Sequence, residues 1–166
     1  EKISVIPCCV DTERFVYNEQ TRQQLRKQRH LEDKFIFIHT GSLEYWYMKE
    51  AMLVYFKVAK DIIPQAHFLL LTHYNKTNFC QIVVQKKLNP DNFTMLSVPF
   101  AEVPLYLSMA DVGIMFITPV FSKLASSPTK FAEYLSCSLP VIINDKIGDL
   151  EEYVTNSNVG VVVKDF

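Results

Sequence analysis

Residues 34–41, KFIFIHTG, and the two segments that follow them decide the fold. The first segment is a short, aromatic-rich apolar run closed by a glycine, which is typical of a buried strand. Residues 44–60 then repeat apolar side chains every three or four positions, from Met48 to Ala59, and this spacing predicts a helix. Residues 66–71, AHFLLL, are a second buried strand. A strand, a helix and a strand in this order predict a crossover unit of two parallel strands.

The same alternation continues in both directions along the chain. We predict further helices over residues 19–29, 75–88, 101–109, 129–138 and 147–155, and further strands over residues 92–98, 111–117, 140–144 and 159–163. The strands are continuously apolar, which indicates a sheet with helices on both faces. We therefore predict an α/β fold with a doubly wound, mostly parallel six-stranded sheet of Rossmann-like order 3-2-1-4-5-6.

Length and composition exclude several classes of protein. A chain of 166 residues fits one domain, and a net charge of -1 argues against capture of nucleic acid. No apolar run is long enough to cross a membrane, and residues 1–5 lack the apolar stretch of a signal peptide. Four cysteines without metal-ligand spacing are expected to be reduced thiols of a cytosolic protein: Cys8, Cys9, Cys80 and Cys137.

A fold of this order places its ligand site where the strand order reverses, between the first and fourth strands. The loops there are residues 39–42 and 118–128. In the first loop, Gly41 either permits close approach of a ligand to the backbone or ends the strand. We interpret His39 as a structural histidine rather than a catalytic base.

The second loop leads into a helix whose start has the chemistry of an anion site. Ser126 or Ser127 can cap this helix, and Pro128 suits its first turn. Free amides and the helix dipole there favour an anion, beside the hydroxyl of Thr129 and the charge of Lys130. Glu133 lies one turn further on the same face, where a carboxylate can accept hydrogen bonds from a ribose diol. An ordinary cap followed by a solvated Lys130–Glu133 pair explains these residues equally well.

Missing motifs narrow the chemistry. No Gly-x-Gly-x-x-Gly follows the first strand, which argues against a nicotinamide dehydrogenase. No phosphate-binding loop and no Gly-x-Ser-x-Gly elbow are present, which argues against nucleotide triphosphatases and α/β-hydrolases. No histidine has metal-ligand spacing, so we expect no metal cofactor.

Five segments resemble the C-terminal domain of retaining glycosyltransferases of family 4 (group 1), which have the two-domain GT-B fold. They are IPCCVDTERF at residues 6–15, TGSL at 40–43, SPTKFAEYL at 127–135 followed by LPVI at 139–142, IGDLEE at 147–152, and VGVVV at 159–163. The segment from residue 127 to residue 142 is the most specific. The resemblance implies an entry segment over residues 1–30, coming from an N-terminal acceptor domain outside this chain. Residues 31–166 are then the nucleotide-sugar-binding Rossmann-like domain.

The resemblance also implies what each part of the site binds. The diphosphate of a UDP-sugar or GDP-sugar would lie at the helix start, near Ser127, Thr129 and Lys130, and Glu133 matches the glutamate that holds the ribose. The base would lie against the loop from Val98 to Glu102. The other donor-binding residues expected are Gly41, Ser42, Lys123, Ser126 and Pro128.

Two departures from the family pattern affect the chemistry. The family often has a second glutamate eight positions before the ribose glutamate, where this chain has Ala125. The family also often has an arginine where Ser42 stands, and a lysine near the place of Lys49. We expect Lys130 and Lys49 to act as the catalytic cations, with Lys123 as an alternative source of the missing charge.

The resemblance therefore predicts a retaining, metal-independent hexosyltransferase acting on a glycan or lipid-linked acceptor in polysaccharide, lipopolysaccharide or capsule synthesis. We expect this domain to be inactive alone, and the full-length protein to be cytoplasmic or peripheral at the inner membrane face. A nucleotide-sugar 2-epimerase of the same fold and a non-catalytic interaction domain are the alternatives. The aromatic run Tyr45-Trp46-Tyr47 is expected to cover a domain interface, with acceptor stacking and partial burial in the core as other uses.

Overall fold

The computed structural model describes Ser4 and residues 6–164. Residues 1–3 and 5 of the predicted entry segment, and residues 165–166 at the end of the predicted second unit, lie outside the described residues. The helices are α1 (Glu19–Gln28), α2 (Lys49–Ile62), α3 (Lys76–Gln85), α4 (Val103–Met109), α5 (Thr129–Ser136) and α6 (Leu150–Ser157). Short 3₁₀ helices cover Pro90–Asn92, Phe100–Glu102 and Phe121–Ala125.

The strands form one sheet with the predicted order. They are β1 (Phe35–Thr40), β2 (Ala66–Leu71), β3 (Phe93–Leu96), β4 (Val112–Met115), β5 (Val141–Asn144) and β6 (Gly160–Val163), arranged β3-β2-β1-β4-β5-β6. Every neighbouring pair is parallel. The predicted doubly wound α/β fold is therefore confirmed, and the strand order reverses between β1 and β4.

Helices cover both faces of the sheet because successive strand residues point to opposite sides. In β1, Phe37 packs in one apolar cluster with Met52 and Phe56 of α2, and with Phe79 of α3. Ile38 packs in the other cluster with side chains of α4, α5 and α6, such as Tyr134. Both clusters are continuous along the strands, which explains the uninterrupted apolar runs in the sequence.

Helix α1 packs against the end of α4 and the residues that follow it. Its Arg22 and Arg26 form ion pairs with Asp111, and the Arg26 Nε donates a hydrogen bond to the Met109 carbonyl oxygen at 2.8 Å. The Asn18 side chain caps the helix by accepting from the Thr21 amide at 2.7 Å. The predicted entry segment therefore packs on the domain at the end of α4.

Helix α2 begins at Lys49, so the predicted start at residue 44 is wrong. The residues before it pair with the chain after β4 instead of entering the helix. Tyr47 forms an antiparallel bridge with Ile117, and the Met48 amide donates to the Phe116 carbonyl oxygen at 3.0 Å. These main-chain bonds bring the loop after β1 against the loop after β4.

Candidate functional site

A cavity of about 300 Å³ lies at the carboxyl edge of the sheet, beside the point where the strand order reverses. The ends of β1, β2 and β3 form one side, and the first turn of α5 forms the other. Its lining residues are Thr40, Gly41, Leu71, Thr72, His73, Ser97, Val98, Phe100, Val103, Thr129, Lys130 and Glu133. The cavity therefore contains five of the residues predicted to bind the donor.

The start of α5 is fixed to the end of β1 by one tyrosine. The Tyr134 hydroxyl accepts a hydrogen bond from the Thr40 amide at 2.9 Å and lies 3.1 Å from the Thr40 Oγ1. Its ring fills the space over Gly113 in β4, where an added Cβ would lie 2.3 Å from the ring. A glycine at this position lets the helix approach the sheet, and the hydroxyl sets where its first turn lies.

Lys130 is a buried cation in this first turn, 8% exposed. Its Nζ donates a hydrogen bond to the Thr40 carbonyl oxygen. The same Nζ lies 3.9 Å from the centre of the Tyr47 ring. Burial lowers the pKa of Lys130 to about 7, and the negative charge of Glu133 opposes this decrease. This lysine is not a solvated surface residue, so the surface-pair interpretation fails for it.

Glu133 lies one turn further along α5, and its side chain lines the same cavity. It is buried, and within Ser4 and residues 6–164 no group donates a hydrogen bond to its carboxylate. Burial raises the pKa of Glu133, while the charges of Lys130 and Arg14 lower it. An acceptor with free lone pairs facing a cavity has the chemistry needed to hold a diol.

The glycine turn after β1 lies close to Lys130. Gly41 has a φ of +94°, in the left-handed region, and an added Cβ there would lie 3.1 Å from the Lys130 Nζ. Its amide donates to the Leu71 carbonyl oxygen at 2.8 Å. Ser42 lines an adjoining depression of about 210 Å³ that shares Gly41, Thr72 and His73 with the main cavity. The absence of a side chain at Gly41 leaves room for the Lys130 ammonium beside this turn.

The end of β3 contributes Val98, as predicted, together with residues that the sequence analysis did not name. Ser97 and His73 are joined by a hydrogen bond of 2.8 Å and both line the cavity with Thr72. Each of these residues lies within two positions of a strand end. Thr72 and His73 follow β2 and Ser97 follows β3, so the tendency of ligands to bind at the carboxyl ends of strands is the sequence signal for all three.

Phe100 and Arg14 form a second unpredicted feature. The Arg14 guanidinium lies 4.5 Å from the centre of the Phe100 ring, and this ring also lines the cavity. Arg14 belongs to the segment before α1, so that segment packs against a residue of the cavity wall. No local sequence signal links residues 86 positions apart.

Several predicted residues do not line the cavity. Lys49 extends over the Tyr74 ring, with its Nζ 5.4 Å from the ring centre, and the Lys123 Nζ lies 4.7 Å from that of Trp46. Glu102 is exposed at the end of a 3₁₀ helix. The other predicted residues outside the lining are Ser126, Ser127 and Pro128.

The predicted serine cap of α5 is wrong. The residue at the N-cap position is Pro128, which therefore precedes the first turn, and no side chain of the described residues bonds to the amides of that turn. The Ser127 hydroxyl instead accepts a hydrogen bond from the Cys8 amide at 3.0 Å. The Phe131 amide donates to the Pro128 carbonyl oxygen at 3.0 Å, and the amides of Thr129 and Lys130 stay open to another acceptor.

His39 has the structural role expected of it. It is fully buried, with its ring nitrogens 3.0 Å from the carbonyl oxygens of Ile114 and Ser42. Burial and the charge of Lys130 lower the pKa of His39 to about 3, so the ring is neutral near pH 7. The ring does not line the cavity and is not placed to act as a base there.

Within the described part of the chain, no group of three His, Cys, Asp or Glu side chains lies close enough together to hold a metal ion. Over the same residues, no helix combines the length and apolar character that crossing a bilayer requires.

Comparison with known proteins gives a family and a fold. The family model described as glycosyl transferases group 1 matches residues 20–166. No curated protein sequence matches the chain.

Solved structures similar to the chain include Anabaena Alr3699/HepE, crystallised with UDP-glucose, at 16% identity and a TM-score of 0.73 over 94% of this chain and 42% of that one. WaaG, a glycosyltransferase involved in lipopolysaccharide biosynthesis, is 13% identical with a TM-score of 0.75 over 96% of this chain and 42% of its own. The C-terminal domain of LpcC, a group 1 family glycosyl transferase from Francisella tularensis, is 17% identical with a TM-score of 0.68 over 93% and 80%. The chain thus spans less than half of the first two proteins and has the fold of one GT-B domain.

Proposed function

Because this chain belongs to the group 1 glycosyl transferases, we propose that it is the donor-binding half of a glycosyltransferase and takes a nucleoside diphosphate sugar. The observation that carries the proposal is a buried cation and a free carboxylate, Lys130 and Glu133, one helical turn apart in a single cavity. This pair supplies one group for a phosphate and one for a ribose diol. Binding of UDP-glucose by Anabaena Alr3699/HepE, which has the same fold, supports this class of ligand.

In the proposed arrangement, each part of the nucleotide has its own neighbours. The base, that of UDP or GDP, lies against the end of β3 at Val98, with Phe100 and Glu102 following. The ribose hydroxyls donate to the Glu133 carboxylate. The diphosphate lies between the Gly41 turn and the open amides of α5, near Thr129 and Lys130. The main chain around the diphosphate is that of Ser42, Ser126, Ser127 and Pro128.

The chemistry proposed is retaining transfer of a hexose without a metal ion. Negative charge develops on the diphosphate as it leaves, and the α5 amides and Lys130 stabilise that charge. Lys49 and Lys123 would add positive charge from further away. The acceptor, a glycan or a lipid-linked sugar of a polysaccharide such as lipopolysaccharide or capsule, would be bound mainly by an N-terminal domain. We therefore expect this chain alone to bind the donor without transferring the sugar.

Two exposed aromatic side chains support an interface with such a domain. Tyr45 is 90% exposed and Trp46 is 48% exposed, and both belong to the loop after β1, beside the cavity. A partner domain that closes over the site would cover them. A 2-epimerase would use the same donor site, whereas a non-catalytic interaction domain would bind no nucleotide.

The test is calorimetric titration of the chain with UDP, GDP, UDP-glucose and GDP-mannose. We expect binding for one base. Glu133→Gln should lower the affinity about tenfold, because it replaces the charged acceptor that faces the diol. The matched control is Glu50→Gln at the start of α2, where the carboxylate pairs with Lys86 on the surface, and it should bind like the unmodified chain. Absence of binding by all four ligands, or equal binding by both variants, would contradict the donor site.

A further inference from the structure

Tyr47 differs from the two aromatic residues beside it. Tyr45 and Trp46 project outward, whereas Tyr47 is partly buried and presents its ring to the Lys130 ammonium. The ring also meets His39 edge-on, with 5.5 Å between ring centres. Tyr47 therefore lies between a neutral histidine below the turn and the cation beside the cavity, and an interface role does not account for it.

The backbone holds Tyr47 in this place from both sides. Tyr47 forms an antiparallel bridge with Ile117, the Thr118 amide donates to the Trp46 carbonyl oxygen at 2.8 Å, and the adjacent Met48 amide donates to Phe116. These bonds join the two loops that meet at the reversal of strand order. A ring fixed by paired main chain is a preorganised contact rather than a flexible one.

The ammonium group of Lys130 has no close carboxylate partner. Among the described residues, no Asp or Glu oxygen lies within 4.0 Å of its Nζ, although Glu133 acts on it from one turn away. The other titratable groups around it are His39 from β1, Tyr134 from α5, Tyr47 itself, and His73 at the end of β2 in the same cavity. Its direct neighbours are the Thr40 carbonyl oxygen and the face of the Tyr47 ring.

We propose that Tyr47 is a positioning residue: its ring face holds the Lys130 ammonium in its charged form beneath the Gly41 turn, aimed at the diphosphate. The consequence for the diphosphate rests on the proposed function, but the contact itself does not. An aromatic face attracts a desolvated cation and leaves its charge in place, whereas a carboxylate would neutralise that charge. The ring therefore does not cancel the positive charge that Lys130 carries when protonated, and this charge is available to a phosphate that enters the cavity.

The first experiment follows the Lys130 methylene next to Nζ by ¹³C NMR as pH rises, in the chain without ligand. Lys130→Met assigns the signal. Tyr47→Phe keeps the ring face and should leave the pKa of Lys130 within a few tenths of a pH unit of the original. Tyr47→Leu keeps an apolar contact without the π face, and should lower this pKa by on the order of one pH unit. A pKa that is unchanged or raised in Tyr47→Leu would overturn the proposal, since the ring would then only exclude water.

The second experiment measures affinity for the nucleoside diphosphate in the same variants. Tyr47→Leu should bind roughly tenfold more weakly at pH 7.5 and approach the original affinity at pH 5.5, where Lys130 is protonated in both. Tyr47→Phe should follow the original pH profile, and Tyr45→Leu on the exposed neighbour serves as the matched control. A loss in Tyr47→Leu that is equal at both pH values would indicate a merely structural role. If the original chain binds no nucleotide, the proposed donor site fails, and the NMR titration still decides the role of Tyr47.

Discussion

Two helices leave the carboxyl edge of the sheet on either side of the strand reversal, and each has a lysine in its first two residues. Helix α2 follows β1 and starts with Lys49 and Glu50, whereas α5 follows β4 and carries Lys130 and Glu133. Lys49 is partly exposed over Tyr74, and Glu50 pairs with Lys86 at the surface. Lys130 is buried on Tyr47, and Glu133 faces the cavity without a hydrogen-bond donor among the described residues.

The difference comes from spacing and cover rather than from residue type. Adjacent residues on a helix point about 100° apart, so Lys49 and Glu50 cannot act on one ligand. Lys130 and Glu133 are three residues apart and share a face. Helix α5 also has a hydroxyl anchor to the sheet, and its lysine is buried against an aromatic ring, whereas Lys49 lies partly exposed over the Tyr74 ring. A lysine at a helix start becomes a site only where the rest of the fold buries and directs it.

The largest effect expected concerns the cation itself. Lys130→Met should weaken binding of the nucleoside diphosphate by about 30- to 100-fold, because a charge-assisted contact to phosphate is lost in a buried place. Isothermal titration at pH 6.5 measures it. An affinity within threefold of the original would show that α5 and α2 do not differ in the way described.

The anchor of α5 should contribute next. Tyr134→Phe leaves the buried Thr40 amide without its acceptor, which should cost about 1–2 kcal/mol in the free energy of unfolding. Thermal denaturation should show a Tm lower by roughly 3–8 °C. The control is Tyr55→Phe in α2, whose hydroxyl has no hydrogen bond among the described residues and should change stability by less than about 0.5 kcal/mol. Equal losses in the two variants would contradict the role of the hydroxyl.

The pH dependence of the affinity for the diphosphate should distinguish Lys130 from Lys49, by a smaller factor than the loss of Lys130 itself. The pKa of Lys130 is lowered to about 7, so its charge is present below pH 7 and is lost as pH rises above it. Affinity for the diphosphate should therefore fall about five- to tenfold between pH 6.5 and pH 8. Lys130→Met should abolish this decrease, and Lys49→Met should leave it in place. A flat profile in the unmodified chain would mean that Lys130 stays charged throughout.

The smallest effect belongs to the other helix start. Lys49→Met should change nucleotide affinity by less than about twofold, because a partly exposed charge that does not line the cavity is screened by solvent. The measurement is the titration used for Lys130→Met. A tenfold loss would place Lys49 in the site after all, in agreement with the family lysine near its position.

The strand order was predictable because a local apolar run marks each strand in the sequence, and the rules for parallel crossovers allow few orders of the strands in a sheet. The start of α2 was not, since Tyr45, Trp46 and Met48 continue an apolar pattern into a loop. The main-chain pairing that keeps these residues out of α2, of Met48 with Phe116 and of Tyr47 with Ile117, joins residues far apart in the chain. Local periodicity carries no information about such pairing.

The candidate site divides along the same line. The expected site at the reversal of strand order, together with helix spacing, predicted Gly41, Thr129, Lys130 and Glu133. The structure brings these four residues to one cavity. Whether they bind a donor sugar stays a prediction. Three features depend on tertiary contacts instead: the ring of Tyr47 over Lys130, the stacking of Arg14 on Phe100, and the hydrogen bond from the Cys8 amide to the Ser127 hydroxyl. For that reason the sequence placed the charges but not the groups that control them.

Placing both polar contacts on one short helix makes α5 a molecular ruler. Three residues of helix span about 4.5 Å along its axis, so the separation of Lys130 and Glu133 is set by backbone geometry rather than by loop position. A deletion or insertion of one residue between them would turn one side chain by about 100° away from the other. Substitutions on the outer side, at Ala132 for example, leave that measure intact. This segment should therefore accept changes in sequence over evolutionary time, but none in length.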